Sequence, residues 1–400
     1  MRALCILALS ACLGAASGDA RMVGRDQATV RSGPGSWFAA RYVLGRGARV
    51  VVLESKGGWA RLNGSGWVSE TAFAAAPQGA TAAAPKGKRA PASVAVAAVR
   101  GFALRFGRAP KADVDALAKA QPPFFRPEEY AAFKAELAPG KAPVKAAPAA
   151  LASAYAPQPY EEGIGLSIAA AAAAKEGLDP DPRLRAYLNM VATALAESSG
   201  AYDYPFKVYL TRSTRVNALA VPGGTILVSG GLLAACADEA ELAAAIGHEM
   251  THVLARHGLK EIAHRDVKLR AEDAMGELDA AAGRAPGADE EGLQDFADAA
   301  YDAANKPRLA AYEEEADRGA AVLLARAGYD PRALPRMIRK AGESAARERE
   351  DEGSAPFARM DFDARRRKAE AFLDKELGGA SGKTLPERFQ QRAAKPGLLH

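Results

Sequence analysis

The chain has 400 residues and a formal net charge of only +5, from 53 Lys and Arg against 48 Asp and Glu. The charge is unevenly placed: residues 1–160 hold 21 basic and 9 acidic side chains, whereas residues 161–400 hold 32 and 39. A basic front on an acidic remainder points to contact with an anionic surface such as lipid headgroups or cell wall. Beyond the first residues no segment is long and apolar enough to span a bilayer, which excludes a polytopic membrane protein.

At the start, Arg2 precedes an apolar run from Ala3 to Leu13, too short for a stable spanning helix and shaped like a secretory signal, predicted over residues 1–21. Leu9-Ser10-Ala11-Cys12 resembles a bacterial lipobox, which implies cleavage before Cys12 and lipidation of that cysteine. Ordinary cleavage near Ala16 or Ala20 is the alternative. Either cleavage removes Cys5, and lipidation consumes Cys12. Cys236 is then the one free thiol, so no intrachain disulfide forms even in an oxidising compartment. Leu13 stands after the cysteine where the bacterial sorting pattern would place an aspartate for inner-membrane retention. An outer-membrane lipoprotein facing the periplasm is therefore expected, anchored to the membrane by lipid and with no nucleic acid as partner.

Residues 22–76 have the texture of a small all-β barrel, with short alternating strands such as Arg49–Glu54 between glycine-rich turns. Ala28-Thr29-Val30-Arg31-Ser32-Gly33-Pro34-Gly35, Gly58-Trp59-Ala60-Arg61-Leu62 and Gly66-Trp67-Val68 resemble the bacterial SH3-like domain over nearly its whole length. That resemblance implies a cell-wall or protein ligand. Trp59 and Trp67 read equally as core aromatics or as a ligand-stacking pair. Residues 77–160 are a linker rich in alanine and proline, with a helical element expected over 93–137.

The third region, 161–375, opens with the alanine run Ala169 to Ala174, which reads as helix. A strand over Phe206 to Leu210 follows, then two short strands around the Pro222-Gly223-Gly224 turn. Asp238, with Glu241 three positions on, marks the start of a helix predicted to end at His257-Gly258. Within it His248-Glu249-x-x-His252 places two imidazoles on one face, able to grip one zinc ion, with Glu249 beside them as general base toward water.

Zinc in a catalytic site takes three protein ligands. A third histidine at the extended spacing would fall at position 258, but Gly258 stands there and His257 is one place early, so His257 reads as a solvent-facing or C-capping residue. A later glutamate is the other solution, and Tyr312-Glu313-Glu314-Glu315-Ala316-Asp317 supplies candidates. Glu313 shares a helical face with Asp317 and Ala320, and Ala316 and Ala320 are small enough for close helix approach. This makes Glu313 the expected ligand and Asp317 a carboxylate that orients a ligand histidine, although only register separates Glu313 from Glu314 and Glu315.

Three blocks in order, Asn217-Ala218-Leu219-Ala220-Val221-Pro222-Gly223-Gly224, Gly247 to His257, and Glu313 to Asp317, resemble the gluzincin metallopeptidases of family 48. That group includes HtpX-type, CAAX-protease-like and periplasmic members. The resemblance implies one Zn²⁺ per chain, peptide-bond hydrolysis of envelope or misfolded proteins, and substrate held in extended form by an edge strand carrying Asn217, Ala218, Pro222 and Gly223. The expected architecture is multidomain: an SH3-like all-β barrel, then a mostly helical α+β gluzincin domain with a small sheet, then a tail over 376–400.

The chain departs from the family where a histidine-proline pair usually follows the second ligand helix. Phe357 to Arg367 contains no histidine, leaving only His264 and His400 unplaced. Arg359 or Arg366 could stabilise an oxyanion there. Arg365-Arg366-Arg367-Lys368 reads as a solvated helix face. The missing histidine supports a second reading, an envelope-assembly chaperone or binding protein with little turnover. An intact Glu249 argues against it, because a pure binder has no use for a general base. The stretch Asp266 to Asn305 reads as a lid or a long solvated insertion.

Overall fold

The structure is a computed structural model, and it describes residues 18–25, 27–63, 66–73, 117, 124–137, 148, 151, 159–199, 201, 204, 206–264, 310–352 and 360–393. Cys12, most of the linker, the expected lid, Arg359 and His400 lie outside the described residues. The chain divides into two compact units, Met1–Ala76 and Pro77–His400.

The first unit is an antiparallel sheet of β1 (Asp19–Met22), β2 (Gln27–Arg31), β3 (Ala40–Gly45), β4 (Arg49–Lys56), β5 (Trp59–Leu62) and β6 (Gly66–Ser69), in the order β1-β4-β5-β6-β2-β3. Gly57 and Gly58 both take positive φ, the backbone that a two-residue hairpin turn between β4 and β5 requires. Register shifts at Val30/Arg31 and Val52/Glu54 bend β2 and β4, and Ala28, Val30, Val52, Ala60, Leu62 and Val68 form the core. Trp59 belongs to the buried set, whereas Trp67 is half-buried. The first strand starts at Asp19, ahead of the expected boundary at 22, because Asp19 to Met22 pair with Val52 to Arg49.

The second unit is mostly helical. In chain order it contains α1 (Pro127–Ala135), α2 (Pro159–Glu176), α3 (Pro182–Ala196), β7 (Lys207–Thr211), β8 (Ala218–Ala220), β9 (Thr225–Ser229) and α4 (Gly230–Ala235). There follow α5 (Glu239–Leu254), α6 (His257–His264), α7 (Ala310–Ala327), α8 (Ala333–Glu352), α9 (Phe362–Glu376) and α10 (Pro386–Ala393). Among the described residues no helix is long and apolar enough to cross a membrane.

The three strands form a small sheet in the order β7-β9-β8, with β7 parallel and β8 antiparallel to the central β9. The Pro-Gly-Gly turn forms where the sequence places it, with Gly223 and Gly224 both at positive φ. The alanine run lies buried in α2, and at Gly165 that helix comes so close to the turn that a Cβ would sit 1.7 Å from the Pro222 carbonyl oxygen. Glycine is required there by sterics, and the contact fixes the hairpin against α2.

Helices α3, α5 and α7 pack against one another and bury Leu188, Leu195, Leu242, Ile246, Leu323 and Leu324. The small residues expected at the crossing of α5 and α7 are buried as Ala316 and Ala320, and Gly319 completes them. A Cβ at Gly319 would meet the Thr251 side chain at 2.4 Å.

Residues beyond 376, expected as a tail, instead close the unit. Lys383 bridges to Tyr329, the Ala240 amide donates to the Thr384 carbonyl, and α10 delivers Arg388 to the buried Glu239 at 2.8 Å. Tyr187 and Tyr329 also donate hydroxyls to Glu239, and the Arg388 guanidinium lies 4.1 Å from the Phe133 ring centre. A buried carboxylate needs this full set of partners, and a polar, arginine-rich C-terminal sequence does not announce it. Arg388→Met should therefore cost about 3–5 kcal/mol, because it strands a buried charge. Adding Glu239→Gln should recover part of that loss, and urea unfolding of the four proteins of the cycle measures both effects.

Candidate metal centre

Helix α5 starts as its sequence indicates. Asp238 Oδ1 accepts from the Glu241 amide at 2.9 Å, a cap that contributes about 1 kcal/mol. Arg336 and Lys340 from α8 hold the acids of this first turn: Arg336 reaches Asp238 at 2.8 Å and Glu241 at 3.0 Å, and Lys340 reaches Glu241 at 2.6 Å. The helix carrying the histidines is thus anchored at its N-terminal end by a charged clasp.

Within the last two turns of its other end, His248 and His252 bring their Nε2 atoms 3.0 Å apart. Glu313 on α7 faces both, with Oε2 3.5 Å from His248 Nε2 and Oε1 3.5 Å from His252 Nε2. Three donor atoms around a tetrahedral zinc, at bond lengths of about 2.0–2.2 Å, are about 3.3–3.5 Å apart. The two imidazoles and the carboxylate therefore match that ion in donor type; both separations to Glu313 fall in that range, and the two Nε2 atoms, 0.3 Å inside it, would move apart slightly to share an ion. Glu249 lies in the same cluster, with His248, Glu249 and His252 ligating atoms all within 4.8 Å of one another. Its Oε2 accepts the Ala220 amide of β8 at 2.8 Å, which fixes the carboxylate at the sheet edge.

Asp317 accepts from His248 Nδ1 at 2.9 Å, as the shared face with Glu313 requires. Glu314 and Glu315 point elsewhere: Glu314 pairs with Lys368, and Glu315 Oε2 lies 3.3 Å from His257 Nε2. In this arrangement register separates the three glutamates by geometry. Asn217 and Ala218 lead into β8, with the Asn217 amide donating to Ser229 Oγ, and Pro222 and Gly223 form the turn. A small cleft beside His252 is bounded by Ala220, Pro222, Val253, Arg256 and Leu259.

Two expectations are overturned. The arginine run on α9 is not wholly a solvated face. Arg365 turns inward, its Nε and Nη2 gripping both Asp317 oxygens at 3.0 and 2.7 Å and its Nη1 lying 2.9 Å from Glu313. Spacing could have revealed it, since Arg365, Ala369 and Leu373 recur every four residues and the last two are buried. Arg366 stays with its neighbours Asp363 and Glu370 on the outer face.

His257, read as a solvent or capping residue, is fully buried. α5 ends at Leu254, and Arg256 adopts a left-handed φ of 56°, so the chain turns and α6 begins at His257. His257 Nδ1 then lies 2.8 Å from His252 Nδ1, and its ring stacks on Tyr312 at 4.2 Å between centres. The helix ends earlier than Gly258 because Arg256, not the glycine, supplies the left-handed residue.

The model of peptidase family M48 matches residues 182–382, about half of the chain. The chain belongs to peptidase family M48. The beta-barrel assembly-enhancing protease of Yersinia pestis is 29% identical over 173 residues, 40% of this chain and 33% of that protein. The putative beta-barrel assembly-enhancing protease of Vibrio cholerae is 30% identical over 165 residues, again 40% and 33%. The mitochondrial metalloendopeptidase OMA1 of Schizosaccharomyces pombe is 35% identical over 77 residues, 19% of this chain and 23% of that one. The chain thus spans about a third of the first two relatives. The M48 match encloses α5, α7 and α9, the three helices that build the centre.

The M48 centre sets the charge states of its own side chains. Burial disfavours protonated His248, but hydrogen bonds to Asp317 and Glu313 outweigh it and raise the pKa to about 9. Burial likewise works against the Asp317 carboxylate, and the Arg365 charge outweighs it and holds Asp317 below the usual range. A folded-state pKa above the ordinary 6.5 adds stability that is complete below 6.5 and lost as pH rises through about 9. Melting of the metal-free protein should therefore move to lower temperature across that window. Asp317→Asn should flatten the trend.

Proposed function

We propose that the chain is an exported, zinc-dependent metalloendopeptidase that hydrolyses peptide bonds of envelope or misfolded proteins. The observation that carries this reading is the convergence of His248, His252 and Glu313 beside a Glu249 carboxylate held by the β8 amide. In this reading His248, His252 and Glu313 hold the metal, which when bound supplies Lewis-acid polarisation of a water and of the scissile carbonyl.

Glu249 takes the proton of the attacking water on a carboxylate oxygen and returns it to the leaving amine. Its fixed position matters, since a general base acts only within hydrogen-bond reach of the proton it removes. Asp317 holds the His248 ring through Nδ1, leaving Nε2 for the metal. β8 stands at the sheet edge next to Glu249, so an extended peptide laid along Asn217 and Ala218 presents its backbone to that base. Arg365 is engaged with both acids of the α7 face and serves as a positioning group rather than an oxyanion donor.

Glu249→Gln should keep stoichiometric zinc and the fold yet lower casein hydrolysis by about 10²–10⁴-fold, since an amide cannot accept the proton. Glu313→Ala should lose the zinc, and Glu314→Ala should keep it, by elemental analysis of purified protein. Full zinc in Glu313→Ala would remove Glu313 from the ligand set. Turnover absent from both wild type and Glu249→Gln would favour the chaperone reading.

The reading places the enzyme in the cell envelope, carried by a lipid on Cys12 at the outer membrane and facing the periplasm. β1 speaks against one alternative: cleavage at Ala20 would cut the strand, whereas cleavage before Cys12 or near Ala16 leaves Asp19–Met22 whole. A single acyl chain binds membranes only marginally, so several chains on Cys12 together with the basic front would make attachment stable. The six-stranded unit serves here as an SH3-like module for cell wall or a protein partner. Membrane fractionation should find wild type with membranes and Cys12→Ala soluble or unprocessed. A soluble wild-type protein starting beyond Cys12 would rule out the anchor and leave the metal site untouched.

A further inference from the structure

Each histidine of the centre meets a different support on its far side. His248 donates through Nδ1 directly to Asp317. His252 Nδ1 instead faces His257 Nδ1 at 2.8 Å, and His257 Nε2 faces Glu315 at 3.3 Å. We propose that His257 and Glu315 form a two-residue relay that positions His252 for metal binding, with Tyr312 as the platform that holds the relay in plane. The proposal rests on the assignment of His252 as a ligand through Nε2.

The protons follow from that assignment. A histidine that gives Nε2 to a metal carries its proton on Nδ1 and donates it outward. At 2.8 Å one proton lies between the two Nδ1 atoms, so His257 Nδ1 must accept. A neutral imidazole that accepts at Nδ1 carries its own proton at Nε2, which points at the acceptor-only carboxylate of Glu315. The chain His252, His257, Glu315 is thereby fixed in one direction, each histidine donating toward the carboxylate.

Three further features support a built arrangement. His257 is fully buried, as an imidazole in a structural relay must be to avoid water competing for Nδ1. Arg256 takes left-handed backbone, a strained conformation for a non-glycine residue, and that turn is what swings His257 beneath His252. Tyr312 and Glu315 are three apart on α7 and so share the flank beside the Glu313 and Asp317 face. Tyr312 lies within 11° of parallel to the His257 ring, and Lys260 Nζ stands 5.7 Å from the Tyr312 ring centre. One helix, α7, thus supplies the carboxylate facing both imidazoles and the far end of both supports.

The test is zinc affinity of the full chain, titrated against a chromophoric chelator, alongside melting of the metal-free protein. His257→Phe keeps a ring on Tyr312 but offers no acceptor, and should weaken zinc by about 10–100-fold with metal-free melting little changed. His257→Gln retains an acceptor oxygen and a donor amide and should restore most of the affinity, a rescue that packing alone does not give. Glu315→Gln should weaken zinc less, and Glu314→Gln not at all. In ¹⁵N-labelled, zinc-loaded Glu249→Gln protein, imidazole correlations should show His252 protonated at Nδ1 and His257 at Nε2. Wild-type affinity in His257→Phe, or a His257 proton on Nδ1, overturns the relay while zinc binding by the parent protein stands. A parent protein that takes up no zinc overturns the relay and the metallopeptidase reading together.

Discussion

The structure turns on keeping acids charged in a dry place. Glu313 and Asp317 stand one turn apart on the buried face of α7, with Glu249 of α5 nearby, and all three are less than a tenth exposed. Carboxylates so placed repel one another and would neutralise unless cations met them. Arg365 answers from α9 by bridging Asp317 and Glu313, and His248 answers from α5 by hydrogen bonding to Asp317. The three helices are therefore joined by charge as well as by their apolar sides, and the centre is the place where they meet.

Backbone sterics set the distances at which those charges meet. Gly319 lets α7 come against Thr251 of α5, and Gly165 lets α2 come against the Pro222 carbonyl. The first contact fixes how far Glu313 stands from the imidazoles. The second holds the hairpin whose β8 amide orients Glu249. A second charged assembly works at the opposite end of α5, where Glu239 takes Arg388, Tyr187 and Tyr329 while Asp238 and Glu241 take Arg336. Helix α5 is pinned at both ends, which suits an element whose side chains must hold a geometry to a fraction of an ångström.

His248 and His252 differ in what stands behind them, a carboxylate in one case and a second imidazole in the other. The difference arises because α6 starts directly after α5, turning on Arg256, and so places an extra histidine within reach. The region where relatives of the family carry a histidine-proline pair here contributes Arg365, whose three contacts tie it to the acids of α7.

The sequence by itself determined the helix of His248, Glu249 and His252, its Asp238 cap, the Pro-Gly-Gly hairpin, the helical alanine run and the pairing of Glu313 with Asp317. These are local patterns: a four-residue spacing, a cap and a turn are written within a few neighbours, where periodicity and φ preference act. The sequence could not separate Glu313 from Glu314 and Glu315, because register has meaning only once α7 lies against α5. It also misjudged His257, Arg365 and the stretch beyond residue 376. The partners of His257 include a glutamate 58 positions away, those of Arg365 lie 48 and 52 positions away, and Arg388 finds Glu239 across 149. A basic side chain reads as solvent-facing until tertiary packing places a buried acid before it, and only then does burial become favourable.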